Sequence, residues 1–135
     1  MGRLRYAWAM GVLALCGMVA APGWAGVSKT GDIKDDGSSF YAGYNDNSTG
    51  TLTIDAGSVF SRRDGDLGFA MGSTGTAIIT GAGSTWTNSG SLCVGCSGSG
   101  TLRVEAGGQV SESTAWLGYQ SGSMGAAVIT GAGSK

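Results

Sequence analysis

The chain has 135 residues, of which 27 are glycine, one is proline and none is histidine. The absence of histidine excludes histidine-based catalytic triads and histidine metal ligands. Charged residues make up 13% of the chain, about half the usual share. The formal net charge of −1 gives no basic surface for nucleic acid. The length allows one small domain.

The N-terminus has the pattern of an export signal. Two arginines precede an apolar run over residues 6–21, and a proline and small residues follow it. The run is shorter than the ~20 residues of a membrane-spanning helix. We therefore predict a signal peptide over residues 1–25, cleaved between Ala25 and Gly26. The protein is expected to be exported, periplasmic in transit, and then displayed on the cell surface or secreted.

The rest of the chain repeats with a period of 25 residues. A glycine opens each unit, at Gly50, Gly75, Gly100 and Gly125. Three apolar columns follow the same period: Ile54, Ile79, Val104 and Ile129; Leu67, Leu92 and Leu117; and Tyr44, Phe69, Val94 and Tyr119. A longer period of 50 is sharper, because GTAIITGAGS returns as GAAVITGAGS.

Each unit reads as two or three short strands joined by glycine-rich corners. One unit has too narrow an apolar face to fold alone, whereas stacked units place equivalent residues above one another. The sequence therefore predicts an all-β fold, a parallel β-helix (solenoid) of about 25 residues per coil. The repeats cover residues 42–135. Residues 26–41 match the period poorly and are either an N-terminal cap or a disordered leader.

Four motifs resemble a known bacterial repeat. They are GTLxVxAGGxV, LGYxxGSxG, GTAxxTGAGSxW and TNSGxLxVG, at residues 100–110, 117–125, 75–86 and 87–95. The most specific stretch is GAGSTWTNSG, at Gly81–Gly90. The chain resembles the autotransporter (type V secretion) and PEP-CTERM-associated repeat over about residues 42–135. The resemblance implies a right-handed β-helical passenger that is displayed or released, and such passengers are usually adhesin-like.

The chain departs from that family in two respects. Members are typically long, and they carry a C-terminal β-barrel or a sorting anchor. This chain ends at Lys135, where the earlier copy continues into Thr85 and Trp86. We interpret it as a passenger fragment truncated at the C-terminus. Membrane contact is expected only through the signal peptide or through a missing barrel or anchor.

Cys93 and Cys96 are the two cysteines that follow the predicted signal peptide. A lone C-x-x-C is a disulfide staple, a pair of inert thiols, a redox pair or half of a zinc site. Zinc needs about four ligands, and a redox motif needs a helix N-terminus that the pattern lacks. A disulfide and inert thiols remain as the main alternatives. We expect no metal and no other cofactor.

Acidic and basic residues offer one catalytic alternative. Some β-helix enzymes cleave acidic sugars with carboxylate pairs and neighbouring basic residues. The corresponding candidates here are Asp35 and Asp36, Asp64 and Asp66, and Arg62 and Arg63. We favour solvated loops at these positions.

The column of Tyr44, Phe69 and Tyr119 also has two interpretations. An exposed aromatic ladder would bind glycans by stacking. Because the period-2 partners of these residues are Ala42, Leu67 and Leu117, we expect the column to face the core.

The sequence favours a structural and interactive function. We expect a non-enzymatic surface stalk or adhesin-like display surface, whose ligand is a protein or a glycan. One alternative is a β-helix polysaccharide lyase or hydrolase. Another is a short secreted repeat protein that assembles through its open solenoid ends.

Overall fold

The computed structural model describes residues 26–135. The predicted signal peptide, with Ala25, lies outside the described residues. The described chain has no helix, and therefore none that is long and apolar enough to cross a bilayer. It folds into thirteen strands: β1 (Val27–Gly31), β2 (Ile33–Asp35), β3 (Ser39–Ala42), β4 (Thr49–Ile54), β5 (Val59–Arg62), β6 (Asp64–Leu67), β7 (Thr74–Thr80), β8 (Thr85–Asn88), β9 (Ser91–Val94), β10 (Ser99–Glu105), β11 (Gln109–Ser111), β12 (Thr114–Leu117) and β13 (Met124–Thr130).

The strands form three sheets that run along the stack. Sheet I has the order β1-β4-β7-β10-β13, sheet II the order β11-β8-β5, and sheet III the order β12-β9-β6-β3-β2. Every third strand belongs to the same sheet from β3 onward, and these neighbours pair in parallel. The prediction of an all-β solenoid with about 25 residues per coil is confirmed, with about four turns.

The core consists of apolar ladders inside the coils. On sheet I, Ile54 pairs with Ile79, and Ile79 pairs with Val104. All three side chains are fully buried, as the period of 25 predicts. Alternate residues of each strand face inward, so the ladder buries apolar surface on one side only.

Aromatic rings fill the core of the first two complete coils. Phe40 meets Phe60 edge-on at 5.4 Å and Trp86 edge-on at 5.9 Å between ring centroids. Gly65 makes room for Trp86, because a Cβ at Gly65 would lie 2.6 Å from Cζ2 of the indole. Large and small inward residues thus alternate between coils, which keeps the core filled without overlap.

A glycine contact closes each coil at the corner between sheet III and sheet I. Gly100 is the second residue of β10 on sheet I, and a Cβ there would overlap the backbone nitrogen of the corner residue Gly95. The same contact joins Gly75 to Gly68. The corner glycines have φ of 68° (Gly68) and 78° (Gly95), a left-handed conformation that disfavours side chains.

Two antiparallel strands lie at the N-terminal edge. β1 pairs with β4 and β2 pairs with β3, and the parallel ladder begins at Ser39, opposite Asp64. Arg62 donates two hydrogen bonds of 2.6 Å to the carboxylate of Asp35. Lys29 pairs with the same carboxylate. The edge strands therefore carry an ion cluster that joins β2 to β5.

The register of sheet III differs from a uniform period. Leu67 pairs with Val94, two residues later than the expected Leu92, and Leu92 lies opposite Gly65. Compared with the preceding coil, the connection to β8 and the connection to β9 are each one residue longer, whereas the connection to β10 is two residues shorter. Sheet I therefore keeps the period of 25 while sheet III does not.

We predict that Gly100→Ala destabilises the fold because the added methyl group would meet backbone rather than a side chain that can move. Besides the overlap with Gly95, the new Cβ would lie 2.7 Å from the carbonyl oxygen of Leu67. The expected loss in the free energy of unfolding is about 1–3 kcal/mol, measured by urea denaturation. Thr101→Ala, at the outward position next to it, is the control and should cost less than about 1 kcal/mol. Equal stability of both variants would contradict the contact.

Candidate functional site

A groove crosses the outer face of sheet III and the corner that follows it. Two columns of outward side chains line it. The first column follows the strands and holds Asp66, Cys93 and Trp116, with Tyr41 next to Asp66 outside the groove lining. The second follows the corner glycines and holds Tyr44, Phe69, Cys96 and Tyr119. The cavity volume is about 670 Å³.

Backbone hydrogen bonds fix the second column. The amide of Phe69 donates to the carbonyl of Gly43 at 3.1 Å, and the amide of Tyr119 donates to that of Gly95 at 2.9 Å. The amide of Cys96 makes the equivalent bond to Gly68 at 3.1 Å. In these three coils, the residue that follows the corner glycine is thus held against the preceding coil.

The expectation that the aromatic column faces the core is wrong. Phe69 is 38% exposed and Tyr119 is 60% exposed. Strand alternation ends at the inward residue Leu67, and the left-handed corner at Gly68 then reverses the direction of the next side chain. Val94, which a uniform period places in this column, is instead buried in the core.

Aromatic rings cluster at both ends of the groove. Phe69 lies 4.9 Å from Tyr41 and stacks on Tyr44, with 5.5 Å between ring centroids and 8° between planes. Trp116 and Tyr119 form the other cluster, with centroids 5.3 Å apart. The middle of the groove lacks a ring, because the third coil supplies Cys93 and Cys96 there.

Lys34 covers one aromatic end. Its Nζ lies 4.4 Å from the centroid of Tyr44 and donates a 3.0 Å hydrogen bond to the phenol oxygen of that residue. It also lies 5.7 Å from the centroid of Tyr41. The hydrogen bond to Tyr44 raises the pKa of Lys34. These rings therefore already hold an ammonium group.

Asp66 lies on the floor of the groove. Burial, with a smaller contribution from the charge of Asp64, raises its pKa to about 6. Oδ1 lies 3.1 Å from Sγ of Cys96. That sulfur is bonded to Cys93 and has no proton to donate. Within residues 26–135, Asp66 has neither an ion-pair partner nor another hydrogen-bond donor.

Cys93 and Cys96 form a disulfide in the structure, with their Cα atoms 5.6 Å apart. Both residues are buried, at 4% and 7% exposure. With Asp66 they bring three potential ligand atoms within 4.8 Å of one another. A metal would need the sulfurs as thiolates, which a disulfide does not offer. With the disulfide formed, the carboxylate of Asp66 is the single anionic ligand that these three residues offer.

The other acidic candidates do not converge on the groove. Asp64 accepts hydrogen bonds from the amide and hydroxyl of Ser91 at 3.0 and 3.1 Å. Arg63 pairs with Asp64 at 3.6 Å and is exposed. Asp36 accepts from the amides of its own turn. Asp35 pairs with Arg62. Of the acidic and basic candidates from the sequence, Asp66 is the one that lines the groove.

Sequence reasoning named Asp66 as a possible catalytic carboxylate beside Asp64 but favoured a solvated loop, and so did not identify it as a groove residue. A signal for the second column was present in the dipeptides Gly43-Tyr44, Gly68-Phe69 and Gly118-Tyr119, where an aromatic follows a corner glycine. In the third coil the corresponding dipeptide is Gly95-Cys96, in which a cysteine stands where the other coils have an aromatic residue. Asp66 had no local signal, because its surroundings come from neighbouring coils.

No family model, curated protein or solved structure gives a significant match to this chain, so the groove is interpreted from its own residues.

We predict that Asp66→Asn stabilises the protein at pH 8 and leaves it unchanged at pH 4. The pKa of Asp66 is about 6 in the folded state against an ordinary 3.8. Ionisation therefore costs stability, by an amount that is absent below about pH 4, grows between pH 4 and 6, and reaches up to about 3 kcal/mol above pH 6. Urea denaturation at both pH values measures the difference. Asp46→Asn, which removes an exposed carboxylate at the groove, is the control.

We also predict that the oxidised protein resists thiol alkylation. Intact mass spectrometry after iodoacetamide treatment in denaturant should show no adduct at Cys93 or Cys96, and two adducts after prior reduction with a dithiol. Alkylation of both cysteines without reduction would show that they are free thiols. Peptide mapping assigns the adducts to these two positions.

Proposed function

We propose that this chain is a segment of an exported bacterial surface protein, and that its solenoid acts as an adhesin-like display module which binds a glycan in the lateral groove. Export and surface display rest on the signal-peptide pattern and on the resemblance to autotransporter repeats. Glycan binding rests on one observation, the presence of aromatic clusters at both ends of a single groove. The cluster of Trp116 and Tyr119 is exposed, and the other is partly covered by Lys34.

Aromatic faces suit sugars because the C–H faces of a pyranose ring pack against them while the hydroxyl groups stay available for hydrogen bonds. The groove supplies such partners beside its rings. The amide side chains of Asn45 and Gln120, the hydroxyl of Ser97 and the carboxylate of Asp46 all line it. An apolar platform with a few polar groups at its rim is the usual composition of a small-ligand site.

The solenoid fixes the spacing of these platforms. The two columns span four coils, and three ladder steps of ~4.8 Å give a length of about 14 Å. This length suits a short oligosaccharide that contacts both aromatic ends. Because the backbone that carries Phe69 and Tyr119 is already held by hydrogen bonds to the neighbouring coil, binding would order little of the backbone, which favours affinity.

The lyase or hydrolase alternative has less support. Its candidate residues Arg63 and Asp64 pair with each other outside the groove lining. The self-assembly alternative draws on a different surface, the outermost coil, where Leu117 and Ile129 are exposed. Neither alternative accounts for the aromatic ends of the groove.

Trp116→Ala and Tyr119→Ala should each weaken glycan binding at least tenfold, about 1.4 kcal/mol, because each removes half of one stacking platform. A glycan array identifies a ligand, and isothermal titration calorimetry measures its affinity for each variant. Val59→Ala is the matched control, since Val59 is an exposed apolar residue on sheet II.

Binding that survives both ring substitutions would contradict the location of the site. The absence of any bound glycan on a broad array would overturn the proposed function. Depolymerisation of an acidic polysaccharide by the protein would instead favour the enzyme alternative.

A further inference from the structure

Asp66 differs from the other acidic residues that make contacts in the described part of the chain. Asp35 is paired with Arg62 and Lys29. Asp32 accepts from the Oγ of Ser48 at 2.6 Å, and other acidic side chains accept from amides or pair with arginine. Asp66 is half-buried, and because Cys96 is held in the disulfide, Asp66 has no ion-pair partner and no proton donor within residues 26–135. A buried carboxylate without a partner is costly, and a cation removes that cost.

The surroundings of Asp66 favour a cation over a neutral donor. Asp66 on β6 lies directly opposite Tyr41 on β3. Phe69, three residues after Asp66, packs its ring against that of Tyr41. The negative faces of aromatic rings attract ammonium groups. Lys34 is an example at the end of the groove nearer to Asp66, where its ammonium group lies over the ring of Tyr44.

The distance between Asp66 and the second aromatic cluster sets the shape of the ligand. Trp116 stands two ladder steps from Asp66 in the same column, which is about 10 Å. One small ion cannot contact both. A short chain of sugar rings can, with a ring stacked on Trp116 and Tyr119 and a charged substituent over Asp66. Within residues 26–135, no lysine or arginine lies over these two rings.

We infer that the ligand of the groove is an oligosaccharide with free protonated amino groups, in which one ammonium pairs with Asp66 while a neighbouring sugar ring stacks on Trp116 and Tyr119. This inference rests on the proposed function and narrows its ligand class. The buried disulfide forms the floor between the two contacts, and the side chain of Asp66 lies against its Cys96 sulfur.

The pairing depends on the charge of Asp66. Its carboxyl group has a pKa of about 6, and the amino group of the sugar loses its proton above neutral pH. The affinity for the amine should therefore be highest near pH 6.5, falling at lower pH as Asp66 is protonated and at higher pH as the ligand loses its charge. The other titratable groups near it are Asp64 on its own strand, Tyr41 on β3 with the Lys34 ammonium over its ring, and Tyr44, Asp46 and Tyr119 at the groove. Asp46 is exposed, and it provides a charge control within the same groove.

The test uses the full chain and two probes that differ only at the nitrogen, a trimer of glucosamine and the matched trimer of N-acetylglucosamine. Calorimetry at pH 6.5, where the carboxylate and the ammonium groups are both present, should show the amine trimer bound at least tenfold more tightly. Asp66→Asn should abolish that preference by weakening the binding of the amine trimer. Asp46→Asn should keep the preference, and Trp116→Ala should weaken both probes.

The outcomes separate the two proposals. Equal binding of both trimers, with no effect of Asp66→Asn, overturns the cationic ligand and leaves the glycan-binding module standing. Binding of neither trimer, together with array binding of a neutral or acidic glycan, also overturns it. No glycan binding of any kind overturns both proposals. Circular dichroism confirms that Asp66→Asn is folded, and its amide has the shape of the carboxylate.

Discussion

The contact between two glycines in each coil is the constraint on which the rest of the molecule depends. Gly68 and Gly95 turn the chain with positive φ at the corner, and Gly75 and Gly100 pack directly against them at the start of the strand on sheet I. A side chain at any of these positions would move the coil out of line with its neighbours. In-register stacking, and with it the buried ladder around Ile79, follows from this close approach.

The same corner builds the groove. Because the left-handed glycine turns the following residue outward, each coil presents one side chain beside sheet III, and in three of four coils it is aromatic. In the third coil Cys96 occupies this position. In the adjacent column Cys93 lies between the larger side chains of Asp66 and Trp116. The two aromatic clusters are therefore separated by small residues, and the cavity is the space that those residues leave.

The sequence was sufficient for the fold and for part of the site. The column of Ile54, Ile79 and Val104 could be predicted because alternation and the period of 25 agree on sheet I. The register at Leu92 could not, because single residues added at two corners are removed at the third. The outward direction of Phe69 required knowledge of the corner conformation. The state of Asp66 depends on residues of other coils, which no local pattern contains.

Asp66 and Asp35 show that the pKa of one residue type shifts in opposite directions within one small solenoid. Arg62 holds the pKa of Asp35 well below its usual range, whereas burial raises that of Asp66 to about 6. The difference lies in the counterion, which the chain provides for Asp35 and does not provide for Asp66 within its described part. Without a ligand, ionised Asp66 lowers the free energy of unfolding, because the carboxylate is partly removed from water. A bound cation would remove this loss, so ligand affinity and fold stability are coupled through a single carboxylate.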